Sequence, residues 1–78
     1  MSVDTVARFV ITLAADPEKL KTYLESTENR IAMVEGLNPQ FWPLNEIEKQ
    51  TLMTGDFNLI YGYLDENGGI RGINEIMT

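Results

Sequence analysis

Every apolar stretch in this sequence is cut short by a residue that starts or stops a helix. Asp16-Pro17, Ser26-Thr27, Gly36, Asn45 and the pair Gly55-Asp56 break the chain before any helix can grow long. Between the breaks, apolar residues recur at helical spacing. Val6, Phe9, Val10 and Leu13 fall at i, i+3, i+4 and i+7, which predicts an amphipathic helix over about residues 3–15. Asp16 can cap the next helix with its carboxylate, and Pro17 suits a first position where no N–H is needed. Leu20, Tyr23 and Leu24 form that helix's apolar face. Ser26 or Thr27 caps a third helix carrying Ile31, Met33 and Val34, unless the second and third are one bent helix. Gly36 is expected to end it in the left-handed conformation that other residues resist.

The stretch "GLNPQFWPL" follows, and its prolines at 39 and 43 forbid regular helix. Asn45 with Glu48 has the spacing of a capping box and predicts a fourth helix over about 46–54. Its apolar residues, Ile47, Leu52 and Met53, do not line up on one face. Gly55 then stops this helix and Asp56 caps the next, so the pair makes a tight corner between two helices. The fifth helix, expected over Phe57 to Leu64, has a stripe of Phe57, Ile60, Tyr61 and Leu64, with Leu59 and Tyr63 on other faces. A helix that is apolar nearly all round is either central to the core or shared with a partner.

After Leu64 the periodicity stops. "DENGG" reads as a turn or linker, and in "IRGINEIMT" the isoleucines 70, 73 and 76 alternate with glycines that oppose helix. The expected fold class is therefore all-α. It is a small bundle of about four or five short helices over residues 1–64, with a flexible C-terminal tail over 65–78.

Composition limits what such a bundle can do. The 78 residues include no cysteine and no histidine, so thiolate metal sites, thiol nucleophiles and the commonest general base are missing. Three tyrosines without a base or a metal make a poor acid–base set. The acids Asp16, Glu18, Glu46 and Asp56 fall in or just before helix first turns, where the macrodipole favours them. Twelve acidic against six basic residues, a net charge of −6, disfavour nucleic acid and anionic membrane surfaces as partners. No run approaches the roughly 20 apolar residues of a membrane span, and the N-terminus has no basic signal region, so a cytoplasmic location is expected. No metal or cofactor is expected on this chain. Phe41 and Trp42, between the two prolines, either anchor a partner or fold back onto the core. With Phe57, Leu59, Tyr61 and Tyr63 they are the candidate docking residues.

Taken together, "FVITLAADPEKLKTYLES", "IAMVEGLN" and "LNEIEKQTLMTGDFNLIYGYL" resemble the domain of the small (alpha) subunit of protocatechuate 4,5-dioxygenase, an extradiol ring-cleaving enzyme. The resemblance covers about residues 6–64. It is carried by Asp16-Pro17, Gly36-Leu37, Asn45 to Glu48 and Gly55-Asp56 in that order, and "NPQFWP" departs from the pattern like an insertion. In the dioxygenases such a subunit packs on an iron-holding large subunit. The same domain is similar to the folded leader of split borosin precursors, ribosomally made peptides that dock on a separate methyltransferase. There, S-adenosylmethionine bound to the partner donates methyl groups to backbone amides of the C-terminal core.

A dioxygenase small subunit usually carries more sequence around the domain, whereas this chain adds a Gly-rich linker and an apolar tail. Residues 65–78, fully extended, span about 46 Å at roughly 3.3 Å per residue, enough to reach a neighbouring active site. The resemblance thus implies a non-enzymatic precursor with Ile70 and Ile73, then Ile76, as candidate modified positions. The alternatives are a non-catalytic dioxygenase subunit that partners a large subunit, or a stand-alone helical interaction module that pairs through its fifth helix.

Overall fold

The computed structural model of the protein describes residues 2–68, with side chains from Asp4 onward. The candidate positions Ile70, Ile73 and Ile76, and most of the expected tail, lie outside the described residues. Five α-helices make up the bundle: α1 (Ser2–Ala15), α2 (Pro17–Glu25), α3 (Thr27–Glu35), α4 (Glu46–Met53) and α5 (Phe57–Glu66). The described residues contain no strand. The Cα radius of gyration is 11.6 Å.

Capping sets the boundaries. Asp16 Oδ1 accepts from the Glu18 and Lys19 amides at 3.1 and 3.3 Å, with Pro17 in the first turn of α2. Ser26 is extended, at φ −152°, and its hydroxyl accepts from the Asn29 amide at 3.0 Å. This one residue closes α2 and opens α3, so the two are separate helices. The capping box of α4 is complete: Asn45 Oδ1 accepts from the Glu48 amide at 2.8 Å, and Glu48 Oε1 accepts from the Asn45 amide at 2.9 Å. Caps of this kind contribute about 1 kcal/mol each.

The two stop glycines differ. Gly55 has φ +68° and takes the left-handed turn expected of it. Gly36 does not, sitting at φ −77°, ψ −7°, with its N–H donating back to the Ala32 carbonyl at 2.9 Å while the Leu37 N–H donates to the Val34 carbonyl at 3.3 Å. The corrected reading is that α3 tightens into its last turn without reversing, and the change of direction falls on the turn that follows. In that turn the Asn38 carbonyl accepts from the Phe41 and Trp42 amides at 3.0 and 2.8 Å, and Asn38 Oδ1 accepts from the Gln40 amide at 2.9 Å. Pro39 stands at its second position, where a fixed φ favours the bend.

The core centres on α1, which packs against α2, α4 and α5, while α5 packs against α1 and α4 and meets α2 through the Phe57 and Tyr23 rings. Helix α5 enters the core through Ile60 and Leu64, both fully buried, while Leu59 and Tyr61 stay exposed. Val6, Phe9, Val10 and Leu13 are all buried, as their spacing predicts, and meet Tyr23, Val34, Leu52, Ile60 and Leu64. Each large apolar side chain buried there contributes about 1.5–3 kcal/mol. Helix α5 also runs past Leu64 through Asp65 and Glu66, with Asn67 as its cap residue.

A row of rings crosses this core. Trp42, Phe9, Tyr23, Phe57 and Tyr61 follow one another at centroid separations of 6.2, 5.7, 6.0 and 6.2 Å, the first two pairs edge-to-face. The row ties the proline-bounded loop to α5.

Candidate docking surface

The corner between α4 and α5 is built from three sides. The last carbonyls of α4 have no intrahelical donors, and they receive donors from elsewhere. The buried Tyr23 hydroxyl donates to the Leu52 carbonyl, and the Arg30 guanidinium donates to the Tyr23 and Thr54 carbonyls at 3.1 and 3.5 Å. A cation there also complements the negative end of α4. Gly55 has to be glycine for two reasons. Its φ is positive, and a Cβ would fall on the Arg30 guanidinium. Asp56 then caps α5, its Oδ1 accepting from the Asn58 and Leu59 amides at 2.9 and 3.4 Å.

The other end of the hairpin is held by Glu48. This carboxylate is fully buried. Its second oxygen accepts from the Tyr63 hydroxyl at 2.8 Å, so one side chain closes the capping box of α4 and bonds α4 to α5. Burial raises the Tyr63 phenol above its usual value of 10, and the hydrogen bond to Glu48 and its negative charge act in the same direction. Burial also pushes Tyr23 up to about 12, although the charge of Arg30 pulls it down.

Between these two ties lies an open groove of about 560 Å³ along α4 and α5. Ile47, Leu59 and Tyr63 give it an apolar lining, and Gly62 leaves a gap with no atom within 4 Å of where a Cβ would stand. Ile47 and Leu59 are 68% and 54% exposed. On the opposite side of α5 is a smaller apolar cleft of about 220 Å³, formed with α1 and α2 and lined in part by Leu24, Phe57 and Tyr61.

The candidate docking residues therefore do not form one surface. Leu59 and Tyr63 line the groove, while Phe57 and Tyr61 face the cleft across the helix. Phe41 and Trp42 part company within their own loop. Trp42 folds in against Phe9 and beneath the Arg8 guanidinium, 4.3 Å from its ring centre, whereas Phe41 stays 63% exposed. Arg8 also donates to the Phe41 carbonyl, which holds the loop on α1.

Of the expected caps, Asp16, Asn45, Gly55 and Asp56 act as predicted, and Gly36 ends α3 by a different geometry. Sequence reasoning passed over Ile47 and Gly62 as groove residues. The signals were an apolar residue off the common face of α4 and a glycine inside a helical pattern. Among the described residues no group of three or more His, Cys, Asp or Glu is placed to hold a metal ion, and no helix is long and apolar enough to cross a membrane. No model of a known protein family matches the chain, and no curated protein and no solved structure is significantly similar to it.

Proposed function

We propose that the chain is a recognition domain that carries its own substrate segment: a borosin-type precursor whose bundle docks on an S-adenosylmethionine-dependent methyltransferase. The observation that supports this most is the arrangement of α4, the Gly55-Asp56 corner and α5. The Gly55-Asp56 corner at one end, where Tyr23 and Arg30 bond the last carbonyls of α4, and the Tyr63–Glu48 hydrogen bond at the other frame an exposed apolar groove on the hairpin that leads into the C-terminal residues. A surface already shaped in this way binds without the entropic cost of ordering itself. Docking of the bundle raises the local concentration of the following segment at the partner's active site, so that segment need not bind tightly itself.

In this reading the chain is not the catalyst. Each modified amide exchanges its N–H for N–CH₃ as the S–CH₃ bond of S-adenosylmethionine on the partner breaks, S-adenosylhomocysteine leaves and the amide proton passes to solvent. Ile70 and Ile73, then Ile76, are the positions proposed for methylation. The order of helix breaks that resembles the dioxygenase small-subunit domain supports the same family of folds. It leaves as the second reading a non-catalytic subunit beside an iron-holding large subunit.

Intact-mass and fragmentation spectrometry after co-expression with a borosin-type N-methyltransferase tests the proposal. The expected result is a mass gain in whole methylene steps, localised to residues 65–78. Unchanged mass, or methylation confined to the bundle, overturns it. Cleavage of a catechol-type ring only when a large subunit is present would establish the second reading instead.

A further inference from the structure

We propose that the α4–α5 groove seats an amphipathic helix of the partner, one bearing an apolar stripe and a cluster of lysines or arginines at one end. This deepens the recognition-domain reading and rests on it for the partner's existence, although the chemistry of the groove stands independently. The apolar part comes from Ile47, Leu59 and the Tyr63 ring. The charged part comes from Glu46 and Glu66, and every charged residue that lines the groove is one of these two carboxylates. The hydrogen bond from Tyr63 to Glu48 pairs the far half of α5 with the start of α4, so both acids stand at the open end of the hairpin, opposite Thr54 and Asn58 at the corner. The occupant is therefore directional. Its cations, or the positive end of its helix dipole, belong beside Glu46 and Glu66.

Gly62 points to the same kind of occupant. A glycine inside a helix costs about 1 kcal/mol relative to alanine. No neighbour in the fold uses the space, since nothing lies within 4 Å of the Cβ position. What the missing side chain provides is room for another backbone to come close. A second copy of this chain is a poor occupant, because it would bring the same carboxylates and a further net charge of −6. Residues 69–78 of the chain itself are also a poor occupant, since they offer Arg71 alone to two acids.

The test uses full-length, isotope-labelled protein and two synthetic helical peptides with leucines at i, i+3, i+4 and i+7. One has lysines in its first turn and the other has glutamates there. The lysine peptide is expected to shift amide resonances of α4 and α5 only, and the glutamate peptide to bind about tenfold more weakly. Gly62→Gln fills the gap with a good helix former, so it should abolish the shifts while the thermal midpoint holds or rises. Glu46→Lys with Glu66→Lys should reverse the preference between the peptides.

Several results overturn the proposal: equal binding of both peptides, shifts mapping to the α1–α2–α5 cleft, or unchanged binding by folded Gly62→Gln. Concentration-dependent groove shifts without peptide would assign the groove to a second copy. Groove shifts in full-length Ile70→Asp/Ile73→Asp would assign it to the chain's own segment. If methylation fails but the lysine peptide binds as described, the groove stands and the borosin reading falls. If methylation proceeds unchanged in Gly62→Gln, the reading stands and the groove falls.

Discussion

The two sides of α5 differ in kind. Toward α1, Ile60 and Leu64 are fully buried and Phe57 joins the row of rings; toward α4, Leu59, Gly62 and Tyr63 border an open groove. One helix, apolar nearly all round, thus serves the core with one face and presents another. The difference teaches that apolar residues beyond those needed for the core do not by themselves disclose their use. What separates the faces is which neighbours reach them. Helices α1 and α4 both pack on α5, and on the α4 side the Gly55-Asp56 corner and the Tyr63–Glu48 bond leave a groove between them.

The sharpest way to break this contrast is to truncate both faces. Ile60→Ala should cost about 2–5 kcal/mol, because it opens a cavity in a core that cannot collapse around it. In a domain this small that leaves little or no cooperative transition in urea. If Ile60→Ala unfolds no more easily than Leu59→Ala, the two faces are equivalent and the contrast fails.

The corner comes next. Gly55→Ala forces a side chain into a left-handed backbone, at about 1–2 kcal/mol, and also displaces Arg30 from the carbonyls it serves. Gly36→Ala meets the Ala32 carbonyl oxygen at 3.0 Å but keeps a negative φ, so it should cost less than Gly55→Ala in the same denaturation series. Similar losses at both glycines would contradict the difference in their backbones.

Alkali probes the sealed side separately. Tyr23 ionises near 10 when unfolded and near 12 in the fold, so the folded state holds its proton longer. The resulting stabilisation is complete below pH 10 and is lost as pH rises through 12. Unfolding midpoints followed by Trp42 fluorescence should fall across that window, and Tyr23→Phe should flatten the fall. Tyr63 adds a contribution of the same sign, through its raised phenol.

Gly62→Ala should move stability the other way, by about 0.5–1 kcal/mol in favour of the fold, since the new methyl meets nothing and the helix gains. The smallest effect is expected at Phe41→Ala, within about 0.5 kcal/mol, because that ring is mostly in solvent. Trp42→Ala should be markedly worse in the same thermal melts, which would confirm that adjacent aromatics in one loop have separate roles.

Much of the fold was legible from the chain alone because helix ends are local chemistry. A carboxylate or hydroxyl two or three residues before unpaired amides caps them whatever else surrounds it. Hence Asp16, Ser26, Asn45 and Asp56 mark their helices, and the spacing of Val6, Phe9, Val10 and Leu13 marks the face of α1 that is buried. Gly36 shows the limit of this reasoning, since a glycine permits a left-handed turn without requiring one.

The site was less legible. Whether Leu59 borders a groove and Phe57 a core depends on where α4 and α1 lie, and the period of one helix carries no information about its neighbours. Glu48 was readable as a cap but not as the buried acceptor of Tyr63, because that bond joins residues fifteen positions apart. Local periodicity and capping are short-range and act within one or two turns, so they are written along the chain. Which faces are sealed, which stay open and which carboxylate is taken out of water are decided only when helices distant in sequence compete for the same apolar surface.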